Sequence, residues 1–311
     1  MSTSHTAAAK HLRHWLATGL LALSGLATAD LTENTIDVGG VPRTYLAYVP
    51  EQLPAGPRPL VLVAHGGGGS HYGMVKLTAA GFHKQAERDG FLVVYPKAIE
   101  RMWDFGDGGA GEHFDPPRND LAYFEALIRD VSAAHPVDPA RVFMTGNSRG
   151  AKAAFFLACK RPGLIRAIAA VTMTLPDYLA DDCAKGPPLP LALLVGTEDP
   201  IVPLAGGALS VGGEPRGTVL SLADTLGLWK ARHHCPVAAY TATTLDAEDD
   251  GTQVVRTEWT GCREAPLVLY EMVGAGHTWP SGLQYLPEAR IGRVSREIDG
   301  SVEIWRFFSR F

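Results

Sequence analysis

Short apolar runs alternate with amphipathic stretches along most of the chain. The runs are predicted to be strands, and they occupy residues 44–49, 59–65, 91–95, 141–145, 167–171, 191–195 and 267–273. Several of them are apolar at nearly every position, which is typical of strands buried on both faces. The intervening and C-terminal stretches are predicted to be helices, at residues 75–88, 121–134, 148–160, 220–233 and 296–310. This alternation predicts an α/β fold with a mostly parallel central sheet and helices on both faces.

Residues 237–260 depart from this alternation. Two β-rich runs flank the acidic, glycine-containing segment 248–251, so we expect a small hairpin here. The chain contains no linker-like run of Ser, Gly or Pro, and its composition, 46% hydrophobic and 20% charged, is that of a globular protein. Residues 30–311 are therefore expected to form a single α/β domain.

The first 29 residues have the features of a secretory signal peptide. Lys10 and Arg13 precede the apolar run 15–27, and residues 27–29 (Ala-Thr-Ala) provide a small-residue cleavage site. The alternative is an N-terminal membrane anchor, but this run is short for a hydrocarbon layer of about 30 Å. We expect cleavage near Ala29, no stable membrane anchor, and a periplasmic or extracellular location.

Net charge and cysteines constrain the partners and the environment. The formal net charge is −5 at pH 7, and loss of the signal peptide with its basic residues makes it more negative, which argues against nucleic-acid binding. An even number of cysteines in an exported chain indicates disulfides. Three pairings are open, of which Cys159 with Cys183 and Cys235 with Cys262 is favoured; free buried thiols are the alternative. Their spacing does not indicate a zinc site.

The sequence Gly-Asn-Ser-Arg-Gly at residues 146–150 connects a predicted strand to a predicted helix. This is the context of a nucleophile elbow, a sharp turn that lifts a serine above the end of a sheet. Side chains two positions before and after that serine would clash, so glycine is required at both. Ser148 is the candidate nucleophile; the alternative is a glycine-rich turn in which Ser148 caps the helix.

A second glycine-rich segment, His-Gly-Gly-Gly-Gly at residues 65–69, comes at the end of the predicted strand 59–65. Acyl transfer needs N–H donors for the oxyanion of its tetrahedral intermediate; one usually lies in this loop and the other follows the nucleophile. We expect the amides of Gly67 and Arg149 to be these donors, with Gly66 as an alternative to Gly67. A phosphate-binding loop is the competing interpretation, but its usual glycine and lysine patterns are missing from the sequence.

Asp199 and His277 each follow a predicted strand later in the chain. A carboxylate after the strand 191–195 can accept the Nδ1 proton of a histidine and hold the tautomer that a general base needs. Glu198 is the rival carboxylate, and a simple loop turn is the structural alternative for Asp199. His277 is the candidate base, because the other late candidates are two adjacent histidines at a helix end, which do not share a face. The order serine, aspartate, histidine is that of α/β-hydrolases.

The motifs around these residues resemble those of poly(3-hydroxybutyrate) depolymerase-like esterases, a group that includes feruloyl and acetylxylan esterases of the first carbohydrate esterase family. The resemblance extends over residues 43–311, and its most specific segments are residues 136–146, 196–207, 274–282 and 304–311. It implies an α/β-hydrolase fold and ester hydrolysis. The cysteines also fall where related members tend to carry theirs, which supports the pairing of sequence neighbours.

The chain departs from the family pattern at several positions. Arg149 and Ala151 replace an asparagine and a glycine of the usual elbow. The family's Trp-Asn pair appears as residues 103–104 (Trp-Asp), and its paired aspartate before the next helix falls within residues 119–120 (Asn-Asp). These changes leave the predicted reaction unaffected, but a long cation at position 149, at the mouth of the site, is expected to alter substrate preference.

Together these observations predict a secreted serine carboxylic ester hydrolase that forms an acyl-enzyme, with no metal, no organic cofactor and no obligate protein partner. The expected substrates are short or soluble esters, namely hydroxybutyrate oligomers or feruloyl and acetyl esters of oligosaccharides. Trp103 and Trp279 are candidate substrate contacts by ring stacking, and packing is the equal alternative for each. A serine peptidase on the same fold and a non-catalytic binding protein are the competing functions.

Overall fold

The computed structural model describes Met1 and residues 30–106, 114, 117–236, 239–263 and 265–311. The predicted signal peptide after Met1, and two residues of the predicted hairpin (237 and 238), lie outside the described residues. The strands are β1 Asp30–Val38, β2 Val41–Val49, β3 Arg58–Ala64, β4 Leu92–Pro96, β5 Val137–Asn147, β6 Ala167–Val171, β7 Leu191–Gly196, β8 Gly207–Val211, β9 Glu214–Val219, β10 Tyr240–Leu245, β11 Gln253–Trp259 and β12 Leu267–Val273. The helices are α1 His71–Leu77, α2 Gly81–Asp89, α3 Asp120–Ala134, α4 Arg149–Lys160, α5 Ala180–Lys185, α6 Leu222–Arg232, α7 Glu288–Ile291 and α8 Gly300–Phe308.

One large sheet organises the described part of the chain, with the strand order β1-β2-β4-β3-β5-β6-β7-β12-β11-β10. The central pairings, from β4 through β3, β5, β6 and β7 to β12, are parallel. The pairings toward both edges are antiparallel. This confirms the predicted α/β-hydrolase fold. Since parallel strands end at the same edge of a sheet, the loops after β3, β5, β7 and β12 meet there.

Apolar side chains fill two cores, one on each face of the sheet. On β3, Leu60 and Leu62 lie in one core and Val61 and Val63 in the other, and all four are fully buried. Helices α3, α4 and α6 cover the first face, whereas α1, α2 and α8 cover the second. Burial of each such side chain contributes roughly 1.5–3 kcal/mol. A strand that faces a core on both sides must be apolar at successive positions, which explains the run in β3.

Two predicted helices have different bounds in the structure. The predicted helix 75–88 is in fact two helices, α1 and α2, because Ala79 and Ala80 have φ angles of 50° and 51°, and such left-handed residues interrupt a helix. The C-terminal helix α8 begins only after Asp299, whose side chain accepts hydrogen bonds from two amides of the first turn. The predicted start at residue 296 is therefore too early.

Both predicted disulfides and the predicted hairpin within residues 237–260 are present. Strands β10 and β11 pair antiparallel and extend the sheet beyond β12. Cys235 and Cys262, before and after this hairpin, form one disulfide. Cys159 and Cys183 form the other, which joins α4 to α5. The pairing of sequence neighbours is thus confirmed.

Three of the strands are not predicted by the sequence pattern. Strand β1 pairs with β2 at the edge of the large sheet, and β8 and β9 form a separate two-stranded hairpin. Among the described helices, none has both the length and the apolar character needed to cross a membrane.

Candidate active site

Ser148 occupies a sharp turn between β5 and α4. Its φ and ψ angles are 54° and −118°, a conformation that is strained for a residue with a side chain. Its amide donates to the carbonyl oxygen of Val171 at 2.9 Å and to Oγ1 of Thr172 at 3.1 Å, at the end of the neighbouring strand β6. The Ser148 side chain does not cap α4, which is contrary to the alternative interpretation of an ordinary capped turn. The turn therefore has the form of a nucleophile elbow.

The two glycines of the elbow are required by close packing against β3. A Cβ atom on Gly146 would lie 2.6 Å from the carbonyl oxygen of Ala64. A Cβ atom on Gly150 would overlap the same oxygen more severely. Backbone atoms cannot move aside as the end of a flexible side chain can, so both positions exclude any residue with a Cβ atom.

Asp199 and His277 form a buried hydrogen-bonded pair. Nδ1 of His277 lies 2.7 Å from Oδ2 of Asp199, and the two side chains are 3% and 2% exposed, respectively. The other oxygen of Asp199, Oδ1, accepts the amides of Ile201 at 2.8 Å and Val202 at 2.9 Å. The rival carboxylate, Glu198, is exposed to solvent. Asp199 is thus the carboxylate that contacts the histidine, and its own orientation is fixed by the backbone.

The loop that carries His277 is fastened to the segment that follows it. The amide of His277 donates to the carbonyl oxygen of Ile291 at 2.6 Å, and the carbonyl of His277 accepts the hydroxyl of Tyr285 at 3.2 Å. Although part of the Tyr285 side chain is exposed, desolvation of its hydroxyl and the negative charge of Asp199 raise the pKa of Tyr285 to about 12, so the hydroxyl remains a donor at neutral pH. The sequence pattern does not indicate Tyr285, whose only local feature is its position eight residues after the candidate base.

Ser148 and His277 line one cavity of about 610 Å³. Its walls include the apolar side chains of Met173, Ile201 and Val202. Four large hydrophobic or aromatic residues that line it are also exposed to solvent. They are Val211 at the end of β8, and Leu283, Tyr285 and Leu286 in the loop that follows His277. The cavity therefore has a wall and an outer surface that suit an apolar group.

The glycine loop after β3 lies directly against the elbow. A Cβ atom built on Gly66 would be 3.5 Å from Cβ of Ser148, and one built on Gly67 would be 3.6 Å from Cδ of Arg149. The amides of Gly68 and Gly69 donate to the carbonyl oxygens of Arg101 and Gly66, respectively. The structure thus brings Gly67 and Arg149 together beside Ser148, and their function as oxyanion donors stays a prediction.

Arg149 does not extend outward as the sequence suggests. Its guanidinium folds back, with Nε donating to the carbonyl oxygen of Trp103 at 3.0 Å and with its Cζ atom 5.1 Å from the centre of the Phe105 ring. The side chain is buried while still lining the cavity. The cation predicted at the mouth of the site is therefore a buried contact between the elbow and the Trp103 segment, although Arg149 still lines the cavity.

The predicted substrate contacts of Trp103 and Trp279 are wrong. Both side chains are buried within the protein, and neither lines the cavity. The indole of Trp103 donates to the carbonyl oxygen of His65 at 2.8 Å. Trp279 packs against Phe82 in the core formed with α2 and α8. The aromatic rings serve packing and loop positioning, because their apolar area is more stable inside the protein than at the surface.

The chain is similar in sequence to proteins that are named as esterases. "Putative esterase NocK" of Nocardia uniformis subsp. tsuyamanensis is 27% identical over 285 residues, 88% of this chain and 81% of that protein. "Feruloyl esterase C" of Emericella nidulans is 27% identical over 183 residues. The match covers 57% of this chain and 62% of that protein, so the chain spans less than two thirds of this relative's length. No protein-family model matches the chain.

A solved structure gives the same relationship at the level of the fold. The acetyl xylan esterase from Aspergillus awamori superimposes with a TM-score of 0.59 at 17% identity, covering 89% of this chain and 99% of that one. The predicted resemblance to esterases is thereby confirmed, whereas the depolymerase part of that resemblance stays a prediction. The chain therefore has the α/β-hydrolase fold and is similar in sequence to proteins named as esterases.

Proposed function

We propose that the protein is an exported serine carboxylic ester hydrolase that forms an acyl-enzyme on Ser148. The observation that carries this proposal is that a serine on a strained elbow lines the same cavity as a histidine held by a buried aspartate. Such a pair activates a hydroxyl that is otherwise a weak nucleophile at neutral pH.

Each proton in the proposed reaction has a defined donor and acceptor. Because Asp199 accepts the hydrogen bond from Nδ1 of His277, the neutral imidazole presents an unprotonated Nε2. Nε2 removes the Ser148 proton as Oγ attacks the ester carbonyl carbon, and then gives it to the alcohol oxygen as the C–O bond breaks. A water molecule, deprotonated by the same Nε2, attacks the acyl carbon; Oγ regains a proton as the acid leaves.

The negative oxygen of the tetrahedral intermediate needs fixed donors. The amides of Gly67 and Arg149 are our candidates, because Arg149 follows Ser148 in the chain and Gly67 lies against the Arg149 side chain. Arg149 is the first residue of α4, a helix of 12 residues. The N terminus of a helix favours negative charge, and one well-placed oxyanion donor is worth about 10²–10³ in kcat.

We propose short, soluble esters as substrates. One relative is named a feruloyl esterase, and a structural neighbour is named an acetyl xylan esterase. The apolar wall and exposed apolar outer residues of the cavity support an acyl or alcohol group with an apolar part. Feruloyl or acetyl esters of oligosaccharides agree with these names, and hydroxybutyrate oligomers agree with the apolar wall. Polymer films and long-chain triglycerides should be poorer substrates.

Export is supported by the two disulfides, which persist mainly in oxidising compartments. We propose that the signal peptide is removed near Ala29. N-terminal sequencing of the protein recovered from the periplasm or medium tests this proposal directly.

A fluorophosphonate label combined with a substrate panel tests the proposed activity. The native protein should be labelled on Ser148, and Ser148→Ala should be neither labelled nor active. Initial rates on p-nitrophenyl acetate and butyrate, methyl ferulate and hydroxybutyrate trimer should exceed those on polymer film and emulsified triolein. Faster cleavage of matched anilides would instead indicate a peptidase, and failure of the label to reach Ser148 would indicate a binding protein.

A further inference from the structure

His65, at the carboxyl end of β3, has an arrangement of hydrogen bonds that permits only one tautomer. The amide of Ala98 donates to Nε2 of His65 at 3.1 Å, so Nε2 carries no proton. Nδ1 lies 2.7 Å from the carbonyl oxygen of Gly66, which can only accept, so the proton is on Nδ1. Burial lowers the pKa of His65 to about 4, and the ring is therefore neutral over the pH range in which esterases are assayed.

This imidazole fixes the peptide between Gly66 and Gly67. The carbonyl oxygen of Gly66 accepts from Nδ1 of His65 and also from the amide of Gly69 at 3.0 Å. In a planar trans peptide the N–H group points opposite to the C=O group. The amide of Gly67 therefore points away from His65 and is held there by two hydrogen bonds, although glycine has little conformational preference of its own.

The position of His65 is itself fixed by buried contacts. Its carbonyl oxygen accepts from the Trp103 indole at 2.8 Å, and its ring packs against that indole with the ring centres 4.9 Å apart. Trp103 in turn accepts from the Arg149 side chain through its carbonyl. Trp103 thus links the residue that orients the Gly67 amide, through its indole, to the residue that follows the nucleophile, through its backbone carbonyl. No hydrogen bond of the Gly67 amide is found within the described residues.

We propose that His65 is a positioning residue of the oxyanion hole, which acts by directing the Gly67 amide toward the oxygen of the tetrahedral intermediate. This inference rests on the proposed esterase function. It also selects Gly67 over Gly66 as the donor, since the N–H of Gly67 is the one that belongs to the fixed peptide. The Gly66–Gly67 peptide would otherwise rotate at two glycines and lose the preorganisation that makes such donors effective.

Two substitutions separate the hydrogen bonds of the ring. His65→Asn places an amide NH₂ near the position of Nδ1, so it can still donate to Gly66 but leaves the Ala98 amide without its acceptor. His65→Gln reaches the position of Nε2 and can accept from Ala98, but it loses the donor to Gly66. We expect His65→Gln to lower kcat by about 10²-fold or more with little change in KM, whereas His65→Asn retains most of the native kcat.

A boronic acid that adds to Ser148 supplies a second measurement, because its tetrahedral adduct uses the oxyanion hole while substrate binding does not. His65→Gln should weaken boronate binding by a factor similar to its loss in kcat, and Tm should fall in both variants. Equal kcat in the two variants, or a loss of kcat that follows Tm rather than the presence of the Gly66 donor, would overturn the proposal.

If His65→Gln does not fold, the proposal can be tested in the wild-type protein by measuring the protonation state of the His65 ring. In ¹⁵N-labelled protein, His65 should be neutral with its proton on Nδ1 throughout the assayed pH range; a proton on Nε2 or a charged ring would overturn the proposal. Failure of the esterase function is distinguishable, because native protein would then cleave no ester and Ser148 would take no label.

Discussion

Asp199→Asn is an informative substitution because the structure determines how the new amide must point. In the native protein, Oδ1 of Asp199 accepts two backbone amides, and Oδ2 accepts Nδ1–H of His277 at 2.7 Å. An amide NH₂ group cannot accept from a backbone N–H. The asparagine oxygen must therefore take the place of Oδ1, and its NH₂ group must face the histidine.

This orientation reverses the tautomer of the base. An NH₂ group facing Nδ1 requires that nitrogen to accept, so the single proton of the neutral ring of His277 moves to Nε2. A base that is already protonated on Nε2 cannot take the Ser148 proton. We expect kcat to fall by about 10⁴-fold, which corresponds to about 5.5 kcal/mol of transition-state stabilisation. The fold should persist, since every hydrogen bond at this position keeps one donor and one acceptor.

Glu198→Gln is the matched control, because it makes the same chemical change one residue earlier on an exposed side chain. Initial rates on p-nitrophenyl acetate give kcat and KM for both variants, and thermal melting checks that both are folded. Glu198→Gln should retain native kcat. A folded Asp199→Asn protein that loses less than about tenfold in kcat, or a Glu198→Gln protein that loses as much, would refute this reasoning.

Three further predictions concern stability. Gly150→Ala should lower the free energy of unfolding by about 3 kcal/mol or more through overlap with the β3 backbone; an unchanged urea midpoint would contradict it. Replacing both Cys235 and Cys262 with serine should cost about 3 kcal/mol, since their disulfide closes a loop of sequence separation 27; intact stability would argue against this value. Burial lowers the pKa of His65 and His233 to about 4, so the unfolded chain takes up protons first as pH falls below about 6.5. The free energy of unfolding should therefore decline from pH 7 to pH 5, by about 2 kcal/mol from His65 alone; constant stability over this range would disprove it.

The parts of the structure that the sequence predicts are those determined by local chemistry. The strand β3 is recognisable because both of its faces are buried, and the elbow is recognisable because a strand, a serine and two glycines occur together. Gly146 and Gly150 meet backbone atoms that no rearrangement of side chains could remove. The disulfide pairs follow from short separations along the chain, which keep the partners close even before folding.

The parts that escape prediction depend on contacts between distant segments. Strand β1 is largely polar, and pairing with β2 at the sheet edge stabilises it without an apolar run. Ala79 and Ala80 are good helix formers, so nothing in their identity predicts the break between α1 and α2. Trp103 and Trp279 have the same chemistry in a core as at a binding site, so only the three-dimensional structure distinguishes packing from substrate contact.

Register between two strands explains how residues far apart in the sequence form the site. Strand β12 pairs in parallel with β7, with Met272 opposite Gly196, so the loops that carry His277 and Asp199 leave the sheet side by side. A Cβ atom on Gly196 would overlap the backbone of the histidine loop, and this glycine allows the two loops to cross closely. The amide of Glu198 then donates to the carbonyl oxygen of Ala275 at 2.9 Å. Through this hydrogen bond the backbone of Glu198 holds the two loops together. The side chain of the following residue, Asp199, points inward to His277. The β7–β12 register thus brings the two loops together, and within the first of them the side chain of Asp199, rather than that of Glu198, meets the histidine.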